Sequence, residues 1–303
     1  MAHLLARGVV RHGDTVLDSS SGIYAIALAL ACHRHGPGCH VVGSTTIDRS
    51  TAIQLELLGA RLERMPPSSD LGLDQNRRVA RVRELLAENP RHHWMRQYHD
   101  DIHHLGYRTV ARRIADEVDG PLTLVGGVGS IASTDALATY LRGSGRPTTL
   151  VGVQPFGSVT FAGDHVADPD IIIAGIGSSI PFGNVDHTLY DTVHRVGFAA
   201  AQSGSIELLR RHAVFAGLST GAGYLAARWE RRLAADTTVI VIGADTGTRY
   251  VDGVFDGHRD AVPFPSLSPF AVTTTAELSR PWSRMDWRRA AAPPQARLRG
   301  VAS

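Results

Sequence analysis

Four stretches of this sequence combine residue types and spacings that could do chemistry. Asp18-Ser19-Ser20-Ser21-Gly22-Ile23-Tyr24-Ala25 links an apolar run to the start of a helical pattern, so it reads as a strand-to-helix turn. Such a turn is an anion site by construction, because unpaired amides and the helix dipole converge on it. Ser20, Ser21 and the amides of Ser21 and Gly22 suit a small carboxylate, whereas Ile23 and Tyr24 put apolar and aromatic bulk at a mouth where polar side chains are usual. Gly127 to Ala132, "GVGSIA", fits the G-x-G-x-x-A dinucleotide fingerprint. The acid expected at the end of the following strand is replaced by Gln154, so a structural turn or another phosphate site stays open beside nicotinamide binding. Gly217 to Gly221, "GLSTG", fits G-x-S-x-G, and Asp245 and His258 follow in the chain order of an α/β-hydrolase triad. Ser219 is either a nucleophile in that arrangement or a cap or ligand contact that is never acylated. The fourth stretch, Arg91 to Tyr107, holds five histidines and two aspartates. His99 and His103 stand four apart, as two metal ligands on one helical face would; a solvated histidine-rich loop with no metal is the reading taken.

The elements around these stretches alternate. Apolar runs at "DTVLDSS", "CHVVGST", "PLTLVGG", "PTTLVGVQ" and "TTVIVIG" are separated by segments of helical period, the pattern of parallel strands covered on both faces. The segment from Val193 to Leu233 reads as two helices. The fold class is therefore open α/β. Residues 1–259 form one two-lobed domain with a smaller lobe over about 20–110, and residues 260–303, rich in Pro, Ser and Arg, form a wrapped extension with a mobile tail. With 303 residues, 43% hydrophobic and 20% charged, the chain can bury a core shared by two lobes. A formal net charge of +2 and the lack of arginine runs with interleaved aromatics argue against nucleic acid. No apolar run reaches membrane-spanning length and no signal-type core opens the chain, so the expected location is the cytoplasm. Two cysteines are too few for a disulfide framework. All 31 residues of the Lys and Arg class are arginine.

In combination, "DSSSGIYAIALALA", "ELLGARLERM", "QYHDDIHHLGYRTVARRIADEV", "VGGVGSIAST", "LVGVQPFGS", "IAGIGSSIP", "FAGLSTGAG" and "GADTGTRY" resemble the fold-type II pyridoxal-phosphate enzymes, in particular the cysteine synthase family. The resemblance covers Gly8 to Tyr250, and "VGVQPFGSVTFAG" and "IAGIGSSIPFGNVD" are most similar to the O-phosphoserine-using, diaminopropionate-type synthases. It implies a two-lobed, tryptophan synthase β-like fold and β-replacement through a lysine-bound cofactor. It places cofactor contacts at Gly129, Ser130, Ser133 and Ser219, and substrate contacts at Ser20, Ser21, Gly22, Tyr24, Gln97 and Gly175. It also implies a homodimer or a heteromeric pathway partner.

The departures from that pattern are specific. The family's T-S-G-N-T-G turn is Ser20-Ser21-Gly22-Ile23-Tyr24-Ala25 here, so the ring contact is lost at Ile23. The phosphate loop, usually G-T-G-G-T, is Gly129-Ser130-Ile131-Ala132-Ser133, and the side chains of Ile131 and Ala132 are expected to obstruct it. The family's lysine sits in an S-x-K-x-R block just upstream of the helix that residues 1–16 resemble, which makes this an N-terminally short, lysine-free member. The resulting expectation is a divergent amino-acid or carboxylate binder, a pseudoenzyme or partner subunit with no bound pyridoxal phosphate. The alternatives are an active synthase whose lysine segment lies elsewhere, a cofactor-independent enzyme using Tyr24, Ser219 or Asp245, and the Ser219-Asp245-His258 hydrolase. Tyr24 is expected to fill former cofactor volume with its hydroxyl on Ser219.

Overall fold

The computed structural model describes residues 1–45, 47–67, 71–170 and 175–288. Its first half builds a small lobe: α1 (Ala2–Ala6), β1 (Thr15–Ser19), α2 (Ile23–His35), β2 (Gly38–Ser44), α3 (Arg49–Leu57), β3 (Arg61–Met65), α4 (Leu71–Glu88) and β4 (His92–Trp94). The four strands are parallel in the order β3-β2-β1-β4. Val16 on β1 and Val41 on β2 pack against Ala25, Leu28, Ala29 and Cys32 on α2, which is why that helix carries apolar residues at helical spacing. Leu4 and Val10 are buried in the same cluster, so the lobe reaches back to the first residues and is not confined to about 20–110. His92 and His93 lie on β4, and Asp101–Tyr107 is a 3₁₀ helix, so only part of the histidine-rich stretch is a loop.

The large lobe follows with α5 (Arg108–Glu117), β5 (Leu122–Gly127), α6 (Ala132–Gly143), β6 (Thr148–Gln154), β7 (Thr192–Val196), α7 (Phe198–His212), α8 (Leu218–Leu233), β8 (Thr238–Val241), β9 (Phe270–Val272) and β10 (Trp282–Asp286). Six strands run in the order β8-β5-β6-β7-β10-β9, all parallel except for the antiparallel pair β7 and β10. Two expectations are corrected here. The segment preceding α7 and α8 contains a strand, β7, because His194 and Arg195 are buried polar residues that interrupt the apolar signal. Residues 270–286 are not an appended wrap, because β10 pairs with β7 and buries Trp282 in the core. The mobile tail falls on residues beyond 288, outside the described residues. Among the described residues no helix is long and apolar enough to cross a membrane.

One buried carboxylate in this lobe gives a pH signature. Asp135, in the first turn of α6, accepts a 2.8 Å hydrogen bond from the Tyr190 hydroxyl, and burial pushes its pKa up to about 7. The folded state therefore holds a proton that the unfolded chain releases near pH 4, so stability falls as pH rises toward 7. Asp135→Asn keeps an acceptor for Tyr190 and removes that slope. Between pH 5 and pH 8 the wild type is expected to lose thermal stability relative to the variant, as differential scanning fluorimetry at about these two values would show. Glu230, held down to about 2 despite burial by His194 and Arg284, loses stabilisation only well below that window.

Candidate functional site

A cleft of about 1060 Å³ opens between the two sheets. Its small-lobe wall is the turn after β1, at the carboxyl ends of parallel strands, where open α/β sheets place ligands. The Ser20 amide donates to Val42 O (3.1 Å), and the Ser21 hydroxyl accepts from the Ser44 amide at 2.9 Å. Gly22 is the N-cap of the 13-residue α2, with no side-chain cap. The first amides of α2 therefore lack the partner that a capping side chain would supply. Ser20, Ser21, Gly22, Ile23 and Tyr24 all line the cleft.

Behind the turn lies a residue that the sequence reading passed over. Asp18 on β1 is 1% exposed and takes four donors: the Ser19 amide (2.8 Å) and Trp94 Nε1 (2.9 Å) on one oxygen, the Gln97 amide (3.0 Å) and the Tyr24 hydroxyl (3.1 Å) on the other. Burial raises its pKa against the pull of those donors. This corrects the expected Tyr24–Ser219 pair: Tyr24 belongs to the small lobe, its hydroxyl on Asp18 and its ring edge-on to His103 at 5.6 Å. Gln97 uses its side-chain amide nitrogen on Ser19 O at 2.7 Å, so it holds the strand end that carries the turn.

The large-lobe floor is the loop from β5 into α6. Gly129 is obligatory, since a Cβ there would lie 2.4 Å from Gly175 O, and Gly175 itself has φ +87°. Ile131 takes φ 58°, a conformation disfavoured by about 1–2 kcal/mol for an L-residue. Its side chain is 2% exposed within the core beside Leu137 and Phe156, and burying an isoleucine contributes about 1.5–3 kcal/mol, enough to offset the strain. A side chain at 131 thus does not exclude the left-handed turn, and Ser130, Ile131, Ala132 and Ser133 all line the cleft where α6 begins, with no side-chain cap on that helix.

Ser219 lies in the first turn of α8 on the same floor. Asp245 does not serve it: one carboxylate oxygen accepts from the Tyr250 hydroxyl (2.8 Å) and Arg249 Nη1 (3.3 Å), and the other is buried without a partner among the described residues, against Gly217. Burial raises the Asp245 pKa. His258 sits on an exposed 3₁₀ turn with Nδ1 on Phe255 O at 2.8 Å. The hydrolase triad is therefore not assembled, because both would-be partners of Ser219 are committed elsewhere. Arg249 crosses the cleft mouth to Asp48, the N-cap of α3, through Nε at 2.8 Å. Of the weak metal candidates, His103 is hydrogen-bonded to Met95 O (2.9 Å) and His99 lies edge-on to Trp94. Among the described residues no group of three His, Cys, Asp or Glu side chains could hold a metal.

The far corner of the cleft was not foreseen. Arg78 and Gln75 on α4 meet Tyr98, Ser178 and Phe182 there, with Tyr98 stacked on Phe182 at 4.0 Å and Ser178 Oγ 3.5 Å from Gln75 Oε1. Arg78 Nε is buried without a partner among the described residues, and burial lowers its pKa. Nothing in "NRRVARVRELL" distinguishes this arginine from its neighbours until the lobes are brought together.

These residues do not fit a pyridoxal phosphate held as a Schiff base. No side chain among the 303 residues is a lysine, Ile23 presents no polar group to a ring hydroxyl, and the unpartnered Asp245 oxygen turns to Gly217. Only the phosphate end, the α6 amides, keeps a suitable backbone.

The sequence matches the family described as pyridoxal-phosphate dependent enzyme over residues 1–245. It is similar to N-(2-amino-2-carboxyethyl)-L-glutamate synthase of Ralstonia nicotianae, 31% identical over 258 residues that cover 83% of this chain and 75% of that protein. It is also similar to cysteine synthase A of Escherichia coli, 25% identical over 259 residues, 81% of this chain and 78% of that one. Among solved structures, O-ureido-L-serine synthase superposes with a TM-score of 0.73 at 24% identity, over 84% of this chain and 80% of that chain. An O-acetylserine dependent cystathionine beta-synthase from Helicobacter pylori gives 0.74 at 24% identity, over 84% and 82%.

Proposed function

This chain belongs to the fold-type II pyridoxal-phosphate enzyme family, as a cysteine synthase-like member, and on that premise we propose that its cleft binds an amino acid carrying a second anionic group without forming an imine through its own side chains. The observation that carries this reading is Arg78, a cleft-lining guanidinium whose Nε has no partner among the described residues. The α-carboxylate docks on the amides opening α2 and on the Ser20 and Ser21 hydroxyls, whose positions Asp18 and Gln97 fix from behind. The side-chain anion, a phosphate or a second carboxylate, meets Arg78 and Gln75, with Tyr98 and Phe182 covering the stem. O-phosphoserine has this chemistry, and the amino acid in the name of one relative, N-(2-amino-2-carboxyethyl)-L-glutamate, also carries further carboxylates. In this reading the protein is a binding homologue in cytoplasmic amino-acid or secondary-metabolite biosynthesis, and pairing with a second copy or a pathway partner belongs to the same proposal. A second reading, an active β-replacement synthase with its lysine supplied from outside these residues, is favoured by the retained left-handed turn at Ile131 and the uncapped amides of α6.

Calorimetry tests the first reading. O-phosphoserine is expected to bind more tightly than serine, and Arg78→Met to remove about tenfold to a hundredfold of that affinity while leaving serine binding unchanged, the value of one lost charge-assisted pair. Equal binding of both ligands by the wild type would contradict the assignment of Arg78. Pyridoxal phosphate is expected to show no tight binding in the same calorimetry, since no side chain here can form an imine with it. Tight binding by the wild type would overturn the first reading and favour the second.

A further inference from the structure

The large lobe buries a cation without a counter-charge. Arg195, the fourth residue of β7, is 0% exposed, and its Nη2 donates to the Phe161 carbonyl. Its Nε and Nη1 have no partner among the described residues, and burial alone depresses its pKa, to about 10, with no neighbouring charge opposing the shift. Gln154, the last residue of β6, is its register partner on the adjacent parallel strand. It too is 0% exposed, and among the described residues neither its amide nitrogen nor its amide oxygen has a hydrogen-bond partner. Register partners leave a sheet on the same face from strands about 4.8 Å apart, so the two side chains with unsatisfied polar atoms stand side by side on one face of the sheet.

The groups that could have compensated them are committed. Ser283, opposite Arg195 on β10, donates to Ser279 O at 2.6 Å. Asp168 accepts from the Phe198 amide at 2.8 Å and lies 3.6 Å from Arg280. Gly163 presses on the Nε side, where a Cβ would come within 3.1 Å of that nitrogen. An unpaired buried charge is among the costliest arrangements a core can hold, and an unpaired amide adds to it. A water molecule would satisfy the amide and leave the charge.

We propose that the folded large lobe binds a small inorganic anion of chloride's size between Arg195 Nη1 and the Gln154 side-chain amide. The anion lies behind the cleft wall and is separate from the amino-acid subsites, so the inference is independent of the proposed function. Arg195 holds the carbonyl of Phe161 in the turn that Gly157 and Gly163 close through a 3.0 Å backbone bond, and Pro155, Gly157 and Ser158 of that segment line the cleft. Neutralising Arg195 therefore steadies one wall of the amino-acid site.

The test compares thermal unfolding of the full chain in gluconate and in chloride at equal ionic strength. The wild-type Tm is expected to rise by about 3 °C or more on going to about 200 mM chloride. Gln154→Glu supplies the negative charge from the protein and Arg195→Met removes the positive one, so each is expected to abolish the chloride dependence. Gln154→Glu alone should also raise the Tm measured without chloride. Crystals soaked in bromide are expected to show an anomalous peak within hydrogen-bond distance of Arg195 Nη1. Water or no density at that position after bromide soaking would overturn the proposal, and so would a chloride dependence that persists in Arg195→Met. If Arg195→Met fails to fold, Gln154→Glu carries the same comparison.

Discussion

Asp18→Ala is expected to destabilise the protein by about 3–5 kcal/mol and to abolish amino-acid binding. The carboxylate is 1% exposed, so its removal leaves the Ser19 and Gln97 amides, Trp94 Nε1 and the Tyr24 hydroxyl without acceptors in a space that water does not freely reach. Each stranded buried donor costs about 1–3 kcal/mol, and partial relaxation keeps the total below their sum. The same four bonds tie β1, α2 and the segment after β4 to one point, so the turn that would hold a ligand carboxylate loses its shape as well. Asp18→Asn, which keeps the volume but turns one acceptor edge into a donor, is expected to lie between the variant and the wild type. Urea unfolding and O-phosphoserine calorimetry measure the two effects. An alanine variant within about 1 kcal/mol of wild type would show that the network is not what orders the turn.

A chain ending at Arg259 is expected to show no cooperative unfolding transition. It would lose β10, which pairs along the whole of β7, and with it Trp282, whose indole packs in the core and donates to His194 Nδ1 at 2.9 Å. It would also lose Arg284, one of the two partners of the buried Glu230 carboxylate, which also bonds His194 at 2.9 Å. An exposed strand edge over a half-open core favours aggregation. Trp282→Ala in the full chain is the milder version, with an expected cost of about 3–5 kcal/mol. Circular dichroism melting and the soluble yield of both variants decide the point; a truncated chain that melts cooperatively near the wild-type temperature would restore the boundary drawn from composition.

The strand-helix alternation of the core and the strand-to-helix turn at Ser20 to Gly22 were legible in the sequence, because both rest on local periodicity and on small residues at a helix start. The elements missed are those where buried polar residues replace apolar ones. "VHRV" reads as part of a helical segment and "WSRMD" as part of an extension, yet both lie in strands and His194, Arg195 and Ser283 are buried. In each case tertiary partners, such as Trp282 and Glu230 for His194, override the local signal. Ile131 is a similar case, since a β-branched residue gives no sign of a left-handed backbone until the core it fills is known. Asp18 and Arg78 were passed over because their meaning depends on what faces them, Asp18 on donors from three chain segments and Arg78 on the other lobe. The hydrolase order of Ser219, Asp245 and His258 misled for the opposite reason, because chain order fixes no geometry.

The placement of β10 also sets a timetable. The small lobe is complete within about the first hundred residues, since its last strand, β4, ends at Trp94. Nearly the whole of the large sheet is available once β8 has been made, but β7 keeps a bare edge until residues 282–286 emerge, close to the end of the described chain. At about 5–20 residues per second, ribosomal synthesis leaves that edge open for roughly 5 to 20 s after Val196 has been made. Folding of the large lobe is thereby tied to the emergence of residues 282–286, while the small lobe, with its turn at Ser20 to Gly22, has all of its strands earlier in synthesis.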